Sequence, residues 1–215
     1  MSHLRMFFRW LQEEGLRPDD PARRLVAPML PERLPRPIPE DRLARALGSA
    51  PPRIRPMLVL AGWAGLRACE IALLRRDRVY ETREPPVILV AAGATKGRRE
   101  RYVPMSDFVL AELLPVLPAA GWVFRRARGH GPISPDYASH LCNQFLHESG
   151  LTETLHQLRH RFATAALDAS SDVRKVQELL GHRHLSSTAI YTRVTGTAAY
   201  ATVQAIPHPV SKQHT

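Results

Sequence analysis

Apolar positions recur at helical spacing over residues 6–16, MFFRWLQEEGL, and the run closes at Gly15, the residue type that ends helices. The periodicity then lapses, with six prolines between Pro21 and Pro39. Proline at that density stiffens an extended chain and forbids a regular helix, so residues 31–40 read as a linker. From Asp41, DRLARALGSA predicts a helix that Pro51 and Pro52 break. The next run, IRPMLVLAGWAGL, is so continuously apolar that its helix belongs in an interior. Gly65 stops it and LRACEIALL starts another, with Arg67 and Glu70 three apart on a shared face.

Residues 78–104 change period. RVYET, VILVAA and RERYVP are short β-prone runs divided by turn residues, which predicts a small antiparallel sheet with GATKGR, residues 93–98, as a hairpin tip. A helix follows over residues 107–117. Ser134, Pro135 and Asp136 then supply an N-cap, a first-turn proline and an acid for a helix over residues 137–149, which Gly150 ends. Another helix begins near His156. Asp172 can cap VRKVQELL, Gly181 can end it, and Ser186 or Ser187 can start a short helix bearing Tyr191. The tail from Thr197 is weakly apolar, then polar, and is expected to leave the domain. The fold class is therefore mainly α with a small antiparallel β-sheet.

Hydrophobic residues make up 44% of the 215 and charged residues 23%, ordinary for a globular chain. No apolar run reaches the ~18 residues of a membrane span, and the first residues lack a signal-peptide pattern. A soluble, cytoplasmic protein is expected. Cys69 and Cys142 have neither metal-ligand nor redox spacing, which fits a reducing compartment. Ten histidines include no HExxH and no Cys–His cluster, so neither metal nor cofactor is expected. The net charge of +10 points to a polyanionic partner such as nucleic acid. The chain has 27 arginines and three lysines, Lys96, Lys175 and Lys212, which makes a lysine in a hairpin tip stand out.

Taken one at a time, the candidate residues have ordinary explanations. His156 and Arg159 share a helix face that would serve as a solvated basic face, and Arg67 with Glu70 would make a surface ion pair. His182 would be a helix C-terminal histidine, Lys96 a solvated turn residue, and Tyr191 a core aromatic. Together they assemble another chemistry. A carboxylate that fixes a guanidinium lets its fork take two phosphate oxygens, and a phenol can attack the phosphorus.

GLRACE, TKGRRERYVP, HQLRHRFA, LLGH and IYTRV, in that order, resemble the catalytic domain of the tyrosine recombinases, the phage integrase and Xer-like family, over about residues 35–200. The resemblance implies Arg67, Lys96, His156, Arg159 and His182 as catalytic groups, Glu70 as a supporting carboxylate and Tyr191 as the nucleophile. It implies a domain at residues 41–196, preceded by the last helix of a shortened core-binding domain at 1–30 and a linker at 31–40. It implies a tail at 197–215 that packs on a neighbouring subunit. The activity implied is site-specific DNA cleavage and rejoining through a 3′-phosphotyrosyl link, without metal or ATP. The implied partners are double-stranded DNA at recombination sites, three further copies of the chain in a homotetramer on two duplexes, and accessory DNA-bending or directionality proteins, with no membrane. Family members often carry glycines where this chain has Ala169 and Ser170; a left-handed residue there would cost about 1 kcal/mol. Two rivals are a type IB topoisomerase-like relaxing enzyme and a DNA-binding remnant without recombination activity.

Overall fold

A computed structural model describes residues 2–25, 38–91, 100–181 and 197–209. The chain forms two compact units, Met1–Arg36 and Pro37–Thr215. In the first, α1 (Ser2–Glu13) begins earlier than the apolar spacing predicts and gives way to Gly15 at φ +69°. The carboxylate of Asp20 accepts from the Ala22 N–H at 2.9 Å and caps a 3₁₀ turn over Pro21–Arg24. Met6, Phe7 and Trp10 of α1 are exposed.

The second unit is built on one helix. After α2 (Glu40–Ser49), α3 (Arg55–Ala64) has no charge beyond its first residue and is buried throughout residues 56–64. Such a helix must be wrapped on all sides. It packs on α5 (Asp107–Leu113), α6 (Pro135–Glu148) and α7 (Leu155–Ser170). Bidentate pairs from Arg55 to Glu112, at 2.6 and 2.5 Å, and from Arg161 to Glu40, at 2.6 and 2.9 Å, tie α3 to α5 and α7 to α2. Gly65 ends α3 at φ +65°, and a Cβ there would overlap the Phe162 ring. Glycine is thus required by both backbone angle and space. The turn it makes leads into α4 (Ala68–Ala72), only five residues long.

The expected sheet is present, with β1 (Val79–Tyr80), β2 (Val87–Val90) and β3 (Arg101–Pro104) antiparallel in that order. Val90 pairs with Arg101 and Ile88 with Val103. The tip at 93–98 lies outside the described residues. The helix expected over residues 107–117 stops at Leu113 and tightens into a 3₁₀ turn at Leu114–Val116, because Pro115 removes a donor. The predicted caps of α6 and of α8 (Val173–Leu180) are in place: Ser134 accepts from Tyr137, and Asp172 accepts from Arg174 and Lys175. A further cap, Thr154 with Gln157, starts α7. The left-handed residue after α7 is Ser171, at φ +52°, beyond the Ala169–Ser170 pair that stays helical.

The tail does not leave the domain as expected, at least through residue 209. Helix α9 (Thr197–Gln204) packs against α7 and β3, burying Ala199, Val203 and Ile206. These three recur at i, i+4 and i+7, a helical face too short and too light to outweigh the surrounding polarity. Beyond it, the Pro207 carbonyl accepts from Trp63 Nε1 at 2.8 Å and from Arg161 at 3.0 Å, and the His208 ring stacks on Phe108 at 4.6 Å.

Gly65→Ala should therefore lower stability by about 2–4 kcal/mol, through left-handed strain plus overlap with Phe162. Gly121→Ala, at φ +85° with open space around it, should cost only about 1 kcal/mol. Urea unfolding of both variants checks the contrast.

Candidate active site

Arg67 stands at the N-cap of α4 in extended backbone, so its side chain leaves the helix start rather than its flank. Glu70, three residues on, turns back beneath it and is 7% exposed. A carboxylate this buried must be matched by donors. Oε1 accepts from Arg67 Nη1 at 3.1 Å and Arg101 Nη1 at 2.9 Å, while Oε2 accepts from the Arg67 N–H and Arg101 Nη2, both at 2.9 Å. Arg159 Nη1 lies 3.8 Å from Oε2. Burial alone would raise the Glu70 carboxyl. The hydrogen bonds and charge of Arg101, the Arg67 N–H and the charge of Arg159 overcome it and hold the group at about 2.

The same guanidiniums also meet the C-terminus of α8. Arg101 Nε donates to the Leu179 carbonyl at 3.0 Å, and the Leu180 carbonyl accepts from Arg67 Nη1 at 3.1 Å and Arg159 Nη2 at 2.8 Å. Arg159 Nη1 donates to the Gly65 carbonyl as well. These carbonyls lack intrahelical partners and carry the negative end of the helix dipole, so cations suit them. Gly181 closes α8 at φ +66°, where a Cβ would lie 3.0 Å from Arg101 Nη1. Four elements distant in sequence thus converge through one carboxylate and one helix end. Three guanidiniums less one carboxylate leave two positive charges among these groups. Arg67 is the most open, its side chain 20% exposed against 9% for Arg101 and 6% for Arg159. The arrangement can take an anion on its open side, with the inner arginines holding the field in place.

His156 sits exposed in the first turn of α7, one turn before Arg159. Burial, and then the charges of His160, Arg159 and Arg67, lower its pKa from the usual value. Its Nε2 lies 3.0 Å from Nε2 of His160, with the rings edge to face. The structure therefore brings Arg67, Glu70, His156 and Arg159 of the expected set together. Lys96, His182 and Tyr191 lie outside the described residues. Tyr200, near Tyr191 in sequence, is differently engaged: its hydroxyl donates to Asp107 at 2.8 Å, a bond that raises its pKa and keeps the proton on.

Sequence reasoning missed Arg101. The available signal was strand alternation, since Arg101 shares the inward face of β3 with Val103, and a charge placed inward requires a partner. It was hidden in a run of hairpin arginines. Among the described residues, no three histidine, cysteine or acidic side chains gather as a metal site, and no helix is long and apolar enough to cross a membrane.

Comparison with known proteins agrees with this geometry. Residues 40–197 match the phage integrase family. The tyrosine recombinase XerA of Thermococcus kodakarensis is 36% identical over 201 residues, covering 89% of this chain and 68% of that protein. Among solved structures, the integrase from mycobacterium phage Brujita superposes with a TM-score of 0.71 at 29% identity, covering all of this chain and 72% of the phage protein. A lambda integrase tetramer bound to a Holliday junction shares the fold, with a TM-score of 0.64 at 20% identity over 88% of this chain and 60% of its own. The matched segment contains the whole arginine cluster, and the class so defined is the tyrosine-type site-specific recombinases. The chain belongs to the phage integrase family. Nothing in these similarities favours a type IB topoisomerase.

Glu70→Gln keeps the shape but removes the charge that three guanidiniums surround, and should cost about 3–5 kcal/mol at neutral pH. Because the folded pKa is depressed from 4.5 to about 2, the stability due to ionised Glu70, roughly 3 kcal/mol, is complete above pH 4.5 and is lost as pH falls toward 2. Denaturant unfolding across that window should show the loss in the parent chain and a flatter profile in the variant.

Proposed function

We propose that this protein cleaves and rejoins double-stranded DNA at specific sites through a covalent 3′-phosphotyrosyl link formed by Tyr191. The observation that carries the proposal is the arginine cluster ordered by Glu70, which keeps two net positive charges, has Arg67 on its open side and acts electrostatically on His156. The Tyr191 oxygen attacks the scissile phosphorus, and the bond from phosphorus to the 5′ oxygen breaks. Arg67 and Arg159 stabilise the charge that develops on the non-bridging oxygens, with His182 as a further donor. His156 takes the phenolic proton, and Lys96 supplies one to the departing 5′ oxygen. One phosphate ester replaces another, so a 5′-hydroxyl of a second duplex can reverse the step and complete strand exchange without ATP. The arginines meet the charge that a metal would otherwise meet.

In this reading residues 41–196 are the catalytic domain, 1–30 the end of a core-binding domain and 31–40 the linker between them. Strand exchange requires two duplexes and so a tetramer of active sites. Cys69 and Cys142, neither of them in a disulfide, suit the reducing cytoplasm. Burial pushes the Cys142 thiol up to about 12, which leaves it inert.

A nicked suicide substrate carrying the cognate site should trap a covalent adduct with the parent chain and none with Tyr191→Phe; an adduct that survives the substitution would overturn the assignment. Tyr200→Phe should still form it, because that hydroxyl is committed to Asp107. Adduct formation should persist in EDTA, and strict dependence on a divalent ion would contradict the charge-stabilising role given to the arginines.

A further inference from the structure

His160 is not used by the chemistry above, yet it faces the histidine that is. The two lie at i and i+4 on α7, both exposed, with Nε2 atoms 3.0 Å apart and ring centroids 4.5 Å apart. Two imidazole nitrogens bound to one ion at about 2.0–2.1 Å are separated by about 2.9 Å at a right angle and about 3.3 Å at the tetrahedral angle. The observed separation falls between these values. A small rotation of either exposed ring admits an ion where the hydrogen bond now lies.

We propose that His156 and His160 form an inhibitory site for a borderline-soft divalent ion, Zn²⁺ in the first instance. Imidazole nitrogen suits zinc, copper and nickel, whereas magnesium and calcium take oxygen ligands and have no purchase here. Among the described residues no third histidine, cysteine or carboxylate joins the pair, and water can fill the remaining positions. The site is therefore reversible and accessible from solvent. Its occupant holds the imidazole of His156 through the lone pair that would take the phenolic proton, so binding and DNA cleavage exclude one another. Only this last consequence rests on the proposed function; ion binding itself does not.

Two measurements on the full chain keep these parts distinct. Isothermal titration of ZnSO₄ into the DNA-free protein should detect a site that His160→Ala and His160→Gln each weaken by about tenfold or more, since either substitution removes one of two protein ligands. Both changes replace an exposed side chain. In the suicide-substrate assay, Zn²⁺ should suppress adduct formation, EDTA should restore it, and equal Mg²⁺ should do nothing. With each His160 variant scaled to its own metal-free rate, the inhibitory concentration should rise by the same factor as the dissociation constant. Zinc titrations that superimpose for the parent and both variants would overturn the site. Zinc binding that needs His160 but leaves cleavage unaffected would overturn its inhibitory role.

Discussion

One buried carboxylate holds this structure's functional side together. Glu70 comes from a five-residue helix, Arg101 from the first residue of a strand, Arg159 from the second turn of a long helix, and all meet at its two oxygens or within 4 Å of them. Removing a carboxylate and three guanidiniums from water is costly, and the cost is recovered only when every partner is placed. The cluster is therefore an all-or-none arrangement: α4, β3, α7 and the end of α8 are in register together or not at all. Preorganisation of this kind fixes a positive field before any substrate arrives.

The helix end supplies the second half of the constraint. The carbonyls of Leu179 and Leu180 accept from all three arginines, so the guanidiniums are clamped from two sides by a full negative charge and by a dipole end. This explains why α8 must stop where it does. Gly181 is at once the left-handed terminator and a close neighbour of Arg101, whose side chain a Cβ there would press at 3.0–3.2 Å.

Much of this arrangement is legible in the sequence, for a physical reason. Arg67 with Glu70, and His156 with Arg159, are each separated by three residues, and a helical turn converts that spacing into proximity whatever the tertiary fold. The interior character of α3 and the alternation of the three strands are likewise local patterns. Arg101 is not legible in this way, because its role depends on a pairing with a residue 31 positions earlier. The docking of α9 is obscured by the small side chains on its buried face. Ser171 shows a third limit: the left-handed residue falls one or two positions later than the sequence suggests, since the capping geometry that decides a helix end lies in the residues after it. The roles given to Lys96, His182 and Tyr191 rest on sequence alone.

The bond from the Trp63 indole to the Pro207 carbonyl joins residues 144 apart. A ribosome adding about 5–20 residues per second needs roughly 7–30 s to span that interval. For that time the nascent chain presents part of its most apolar helix without its final cover, a window in which chaperone capture is favoured. Arg67 waits comparably long for the Leu180 carbonyl, 113 residues downstream. A chain still in synthesis thus has no finished arginine cluster until Leu180 has been added.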